Sequence, residues 1–591
     1  MSIPKEFYSA QIALHHTSLK KVKKQLAVSS TIRLLVFLAI AATIYLGYPN
    51  TQIILGAIGI GIVVFIFLVN RHTDLSYTKR KLEKLIQINQ LELDVFDGDV
   101  SRLSSGKEFI DTTHPFSHDI DLFGDRSFFQ YANRTTTEAG TSMLAQSLTA
   151  NTIDAIPEKQ KAIQNVSKLA EWRQDFWATA SLVQVTVPIA KIQKWLDGFT
   201  PFLPKIMRVL PVIVSAISAI LVVLLFLNII TLQVLVFWFF IGLAITGTQI
   251  KKINALYNDA NKVKDTFEQY YKLVSKIENT EFEATLLKEK QQLVISEKEK
   301  ASQTLKHFAS ILNAFDQRNN MMFGVLANGL LLWDIIQSYR IEQWIAKNRH
   351  HVSQWFEVIA FFDAYNSLGN FAFNHPDYVY PEITEGAHII KAQQLGHPML
   401  ATAKRVDNDI TILKEQFFII TGANMAGKST FLRTVALQIM MSNIGLPICA
   451  TSCEYNPIKL ISSMRTADSL TDDASYFFSE LTQLKKIVDA LEQDDYFIIL
   501  DEILKGTNSK DKAAGSRKFV EKLVAAKATG IIATHDLSLC EIAEELDQVQ
   551  NRFFDAQIVN DELYFDYRFK DGICQNMNAS FLLKKMGIVT S

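Results

Sequence analysis

Gly422, Gly427, Lys428 and Ser429 stand at the spacing G-x-x-x-x-G-K-S inside the stretch FFIITGANMAGKSTFLR. Glycines at those two positions let a loop curl so that its amides point inward at phosphate oxygens, and a helix starting behind the loop adds favourable partial charge. In such a loop Lys428 contacts the β and γ phosphates of a nucleoside triphosphate and Ser429 ligates Mg²⁺. The bland alternative is a glycine-containing strand-to-helix turn. An apolar run before the loop and the helical pattern STFLRTVALQIMM after it supply the context that the phosphate-binding reading needs. A second apolar run, YFIILDE, ends in Asp501 and Glu502. Asp501 is expected to hold the magnesium through water, and Glu502 to orient and polarise the attacking water. A third run ends in ATHD, which brings His535 to the same edge as a sensor of the γ phosphate, although a lone histidine is more often a satisfied polar residue. The turn KGTNSKD, with Gly506 and Thr507, follows Glu502 and suits a loop that passes information between the two sites of an ATP-sandwich dimer.

These residues need a sheet to hold them. QFFII, YFIILDE and TGIIATH each read as a buried strand, and from about residue 391 short β-branched or aromatic runs alternate with helices. Residues 391–591 are therefore expected to form an α/β nucleotide-binding domain with a mostly parallel sheet. The preceding chain reads as helical. Asp74 to Asp94 has helical periodicity, SSGKEFIDTTHP marks a loop, and NRTTTEAGTSMLAQSL opens a helix with Thr135 and Glu138 at capping-box spacing. Ile253, Leu256, Ala260, Val263, Phe267, Tyr270, Val274 and Ile277 recur at steps of three and four, the seam of a long helix packed along its length. A lever arm is one use of such a helix; an ordinary bundle helix is the other.

Two uncharged runs, Leu34 to Asn70 and Val209 to Ile250, interrupt this pattern. A membrane core about 30 Å thick is crossed by about 20 helical residues, so each run suits two passes. Each is expected to be a transmembrane helical hairpin, the first breaking at Gly47 to Asn50 and the second near Asn228 to Thr231. Lys20, Lys21, Lys23, Lys24 and Arg33 precede the first hairpin and Arg71, Lys79, Arg80 and Lys81 follow it; Lys205, Arg208, Lys251 and Lys252 flank the second. These flanks place both termini and all soluble parts on the cytoplasmic side of an inner (cytoplasmic) membrane. Neither run contains a charge, so the helices read as anchors and not as an ion path. With 60 basic and 61 acidic residues, no global attraction to nucleic acid or anionic lipid is implied. Cys449, Cys453, Cys540 and Cys574 show no CxxC pair and no histidine spacing, which argues against a structural metal or disulfides and for buried thiols.

The C-terminal words resemble the MutS family of ABC-class ATPases: GHP at Gly396, DNDI at Asp407 to Ile410, ITGANMAGKST, ASYFFSE at Ala474 to Glu480, LDEILKGTN and ATH occur in that family's order. IDLFGDRSFFQYANRTTTEAG looks like its helical core domain, and FFDAYNSLGNFAFNHPDYVYPEI like the helix returning from its lever. The resemblance implies a head-to-tail homodimer with ATP between subunits. Gly422, Asn424, Gly427, Lys428, Ser429 and Thr430 would bind phosphate and Mg²⁺ with Asp501, and Ser475 of the other chain would cap the γ phosphate. Ala423 and Ala426 stand where the family usually has proline and glycine, which should leave binding intact. Arg405 stands near the family's adenine-stacking aromatic and could stack its guanidinium plane instead.

The expected organisation is multidomain: a basic segment 1–30, hairpins 31–70 and 206–250, an all-α core 71–205, lever helices and their return 251–390, and the P-loop (ABC-type) ATPase domain 391–591. The family's mismatch-reading wedge is not found, and residues 278–304 leave room only for a helical lever tip whose lysines and glutamates interleave. These features favour a membrane-anchored ATPase over a membrane-tethered protein binding mismatched or branched DNA, which the near-zero charge does not support. An ABC transporter ranks third, since no LSGGQ-type signature and no polar path are found.

Overall fold

The computed structural model describes residues 3–48, 50–182, 187–295, 300–465, 476–559 and 562–575. Among the described residues, ten strands lie from residue 382 onward: β1 (Glu382–Ile383), β2 (His388–Leu395), β3 (Asn408–Leu413), β4 (Phe417–Gly422), β5 (Ser452–Tyr455), β6 (Lys459–Ser463), β7 (Tyr496–Asp501), β8 (Thr529–Ala533), β9 (Val549–Val559) and β10 (Glu562–Asp571). Six of them form one sheet in the order β10-β9-β4-β8-β7-β6, parallel except for the antiparallel β9–β10 edge. All six residues of β4 and all five of β8 are buried, as unbroken apolar runs covered on both faces must be. The remaining four strands form a second sheet, β1-β5-β2-β3. Residue 391 lies inside β2, and β1 already pairs with β5, so the sheet-bearing region begins earlier than the change in sequence texture.

Ahead of the sheets the chain is helical. The helices Ile3–Leu46 and Thr51–Phe96 are separate elements and run without a break through residues 30/31 and 70/71. By length and composition both can cross a membrane. Their charged ends reach the helical core, where Glu92 pairs with Arg134 at 2.6 Å and accepts from Asn370 and Asn374, while Tyr8 Oη donates to Asn374 Oδ1 at 2.7 Å. Glu92 and Arg134 are both buried, so removing either would strand the other's charge.

The second apolar run forms Leu210–Phe226 and Leu232–Gly247, reversing through Asn228 in the left-handed region. At 17 and 16 residues each is shorter than the ~20-residue crossing. The second continues into Ile250–Glu278 across a bend of 67°.

All eight apolar seam residues of Ile250–Glu278 are buried. This helix pairs antiparallel with Ala301–Asp316, since Tyr257 meets Phe315, Phe267 meets Phe308, and Glu278 accepts from Ser302. The return helix Trp333–Asn374 packs on both, its Trp344 and Phe356 closing around Phe267 at 5.7 and 5.8 Å. The expected lever tip at residues 278–304 is not a remote tip. Phe282 stacks on Phe362 at 5.0 Å and Glu283 N–H donates to Asn165 Oδ1 at 2.9 Å, so the chain at 282–283 is docked on the core. The end of the helix pair away from the core is the one that carries the second hairpin.

The capping residue of Glu138–Thr149 also differs from expectation. Thr137, not Thr135, accepts from Gly140 N–H at 2.9 Å. Asp363 of the return helix selects it, taking the Thr137 hydroxyl at 2.7 Å and its amide at 2.8 Å, while Thr135 turns to Asn133 and Thr141. Burial pushes Asp363 up to about 6, against the downward pull of these donors. The four cysteines are buried.

Candidate functional site

β4, β7 and β8 lie side by side and parallel, with Ile420 and Asp501 both in register with Ala533, so the polar residues that follow each strand converge at one sheet edge. Gly422 ends β4 at φ 153°, and a Cβ there would lie 2.6 Å from the Phe554 carbonyl oxygen. Gly427 opens the helix Lys428–Asn443 at φ 103° with its Cα facing the Tyr567 ring, 3.0 Å from where a Cβ would sit. Both glycines are therefore required by conformation and by space. Met425 takes φ 68° at the exposed crest of the loop, Asn424 is exposed beside it, and Ala426 is fully buried, which suits its small side chain.

Lys428 folds back into the loop, Nζ donating to the carbonyls of Gly422 at 2.7 Å and Ala423 at 3.1 Å. Burial lowers its pKa, and the charges of Asp501 and Glu502 oppose that shift. Ser429 Oγ donates to Asp501 Oδ2 at 2.6 Å. A hydroxyl beside a carboxylate, the serine exposed and the aspartate half-buried at the strand end, is the oxygen donor set that a small hard dication takes. Thr430 is exposed one residue further along, its carbonyl accepting from Thr434 Oγ1.

Glu502 adopts φ 51°, a left-handed conformation that a β-strand continuation would not allow, with its amide held by the Ala533 carbonyl at 2.9 Å. The turn aims Oε1 at His535 Nε2, 3.1 Å away. Lys428 Nζ lies 3.3 Å from the same nitrogen. One imidazole nitrogen cannot both donate and accept. Burial and the Lys428 charge lower the His535 pKa below the ordinary histidine value, Glu502 and Asp501 opposing, so the ring is neutral near pH 7. The Nε2–H tautomer, donating to Glu502, satisfies the carboxylate and leaves Lys428 to its two carbonyls.

Beside the loop lies a cavity of about 470 Å³ whose lining includes Lys428, Ser429, Glu502 and His535 together with Arg405, Val406, Asn408 and Tyr567. Arg405 lines it, as expected, but is held by Asp407 through two bonds of 2.6 and 3.1 Å. Gly396 permits this pair, since a Cβ there would overlap both partners. Tyr567 was not legible in the sequence. It sits at φ 53° in an irregularity of the β9–β10 register between Phe565 and Phe569, and Asn408 fastens the bulge by donating to the Tyr567 carbonyl at 3.0 Å and accepting from Phe569 N–H at 2.9 Å. DNDI, which contains Asn408, was the only signal nearby. Ser475 lies outside the described residues.

Residues 418–585 match the family model of MutS domain V. The chain is 30% identical over 213 residues to human MutS protein homolog 4, covering 34% of this chain and 22% of that protein. It is 30% identical over 233 residues to the DNA mismatch repair protein MutS of Finegoldia magna, covering 38% of this chain and 27% of that protein. The match thus spans about a quarter of the length of these curated relatives. The domain V match takes in Gly422, Lys428, Ser429, Asp501, Glu502 and His535, and on this basis the C-terminal part of the chain is MutS-like and carries MutS domain V.

Proposed function

We propose that the chain is a membrane-anchored ATPase whose two copies sandwich ATP between their C-terminal domains, hydrolyse it, and use the closure to move the lever helices and the hairpins joined to them. The observation that carries this reading is the 2.6 Å bond between Ser429 and Asp501 beside a lysine folded into a phosphate-type loop. Ser429 and Asp501 would hold Mg²⁺, which when bound neutralises charge on the β and γ phosphates. Lys428 exchanges its two loop carbonyls for phosphate oxygens, the amides from Gly422 to Thr430 cradle the chain of phosphates, and Asn424 reaches toward the γ end. Glu502 orients the attacking water, and His535 holds Glu502 in place through Nε2–H. Arg405 and Tyr567 flank the side of the cavity where the base would enter. Ser475 of the second subunit completes the site. The four hairpin helices anchor the chain in the inner (cytoplasmic) membrane with its termini and soluble domains cytoplasmic, a reading supported by the lysines and arginines that flank each run.

Purified full-length protein in detergent is expected to bind ATP and hydrolyse it only with Mg²⁺. Lys428→Ala should remove binding and turnover, whereas Glu502→Gln should bind ATP and not turn it over; unchanged rates in both would reject the site. The names of the relatives favour a second reading, a membrane-tethered protein that binds mismatched or branched DNA. Titration of labelled duplexes across salt concentrations decides it, because phosphate contacts make such binding fall steeply with salt.

A further inference from the structure

Between the lever helix Ala301–Asp316 and the return helix lies a helix of 11 residues, Met321–Leu331. No charged side chain occurs from Asn319 to Trp333, yet Arg318 and Asp334 stand immediately outside. These two pair, Arg318 Nη2 lying 3.0 Å from Asp334 Oδ2, so the chain departs from the polar body and rejoins it at one point. One face of the short helix is docked on the second hairpin. A Cβ on Gly242 would lie 2.0 Å from the Gly329 carbonyl oxygen, and a Cβ on Gly329 would lie 2.1 Å from the Phe239 ring. Ser218 Oγ donates to the Leu330 carbonyl at 2.7 Å and accepts from Trp238 Nε1 at 2.9 Å. Glycine-mediated approach with a serine bonded across it is the way helices associate in hydrocarbon, where burying apolar side chains supplies no drive.

The other face is bare: Met321 is 83% exposed, Met322 75% and Leu326 52%, with Phe323 and Val325 beside them. On a helix bathed in water that face would carry charge. Here it continues the exposed apolar surface of the hairpin on which the helix is docked, where Phe237 is 70% exposed. The ends are closed as a lipid-facing element requires. At the N-terminus Asn320 Oδ1 accepts from Phe323 N–H, and at the C-terminus Leu332 N–H donates to the Ala327 and Asn328 carbonyls.

We propose that Met321–Leu331 is a re-entrant half-span whose bare face is covered by lipid acyl chains, entering the bilayer from the same side as the second hairpin. This inference rests on reading that hairpin as membrane-embedded. Eleven residues rise about 16 Å, roughly half of a 30 Å hydrocarbon core, so the helix enters and cannot cross. Leu332, at φ 55°, then turns the chain by 82° into the return helix. Since only residues 317–320 and Leu332 separate the half-span from the two long helices, displacement of the lever pair acts on the bilayer through a short connection.

The test uses the full chain in phosphatidylcholine vesicles containing lipids brominated on the acyl chain. Single cysteines at Phe237→Cys in the hairpin, Met322→Cys in the half-span and Lys306→Cys on the lever are labelled with an environment-sensitive fluorophore, the native cysteines being buried. Because the quencher acts only within the ~30 Å hydrocarbon layer, the labels at 237 and 322 are expected to lose roughly half of their emission and the label at 306 almost none. Quenching at 237 without quenching at 322 would overturn the half-span and leave the anchor standing. Quenching at neither would remove the embedded hairpin and the half-span together.

Discussion

Arg433, on the helix that begins at the phosphate loop, forms an ion pair with Asp121 of the helical core at 3.3 Å. The same carboxylate takes Arg465 through bonds of 2.6 and 2.8 Å. Two residues earlier Asp119 accepts from Ser462 Oγ and from the amides of Met464 and Arg465. Two acids of the core thus hold both the phosphate-loop helix and the chain leaving β6.

Their removal should have different consequences. Asp119 is buried, and Asp119→Ala leaves two amides without an acceptor and the Ser462 hydroxyl with only its longer bond to the Pro115 carbonyl, a loss of about 2–3 kcal/mol. The Asp121 side chain is 47% exposed, so Asp121→Ala should cost less than about 1 kcal/mol. Thermal unfolding measures both. If Asp121 couples the domains, Asp121→Ala should also bind nucleotide normally while losing any nucleotide-dependent protection of the core against trypsin.

His535 is expected to set an acid limb on turnover. A neutral ring donates one Nε2–H to Glu502, whereas a protonated ring places a positive charge between Glu502 and Lys428 and makes the carboxylate a poorer base. The histidine value is lowered from 6.5 by burial and by Lys428, so kcat should be level near pH 7 and fall as pH drops below 6.5. His535→Ala should bind ATP with little change, turn over about 10- to 100-fold more slowly, and lose that limb. A limb that persists in the variant would assign it elsewhere.

The phosphate-loop residues, Asp501, Glu502 and His535 could be read because each follows an apolar strand within a few residues, and a parallel sheet delivers the ends of its strands to one edge. What escaped depends on distant partners. Three consecutive threonines all suit a cap at 135–137, and Asp363, 226 residues away, chooses Thr137. Leu332 ends one helix and starts another in the left-handed region without a glycine or proline to announce it. The docking of Phe282 and Glu283 followed from Phe362 and Asn165, which no local pattern links to them.

Tyr567 gives a prediction of the same tertiary kind. Its ring faces Gly427 and lines the same cavity as Lys428, and Asn408 bonds its carbonyl through the bulge. Tyr567→Ala should weaken ATP binding by about tenfold, the loss of a ring stacked or packed on a base, with less effect on kcat. Tyr567→Phe should retain the affinity. Equal affinity for ATP in the alanine variant, measured by calorimetry, would place the base elsewhere.

His375 should make the core acid-sensitive. Nε2 lies 2.9 Å from Tyr131 Oη, and the ring packs against Phe371 and Tyr378 with centroids at 4.6 and 4.4 Å. Burial lowers its pKa to about 4, with Arg405 and Arg134 adding to the shift and Asp377 opposing it. The unfolded chain titrates near 6.5, so the folded form excludes a proton that the unfolded form accepts. The resulting stability is present above pH 6.5 and is lost progressively as pH falls through about 4. A shift of that size corresponds to at most about 3 kcal/mol, an upper bound because part of the ring reaches solvent. His397, lowered to about 4 by burial and by Arg433 and Arg405, adds a parallel contribution. Melting temperatures measured from pH 7.5 to 4.5 should therefore fall, and His375→Gln, which keeps an acceptor for Tyr131 but cannot titrate, should flatten part of that slope. Identical slopes for both proteins would show that His375 is not excluding the proton.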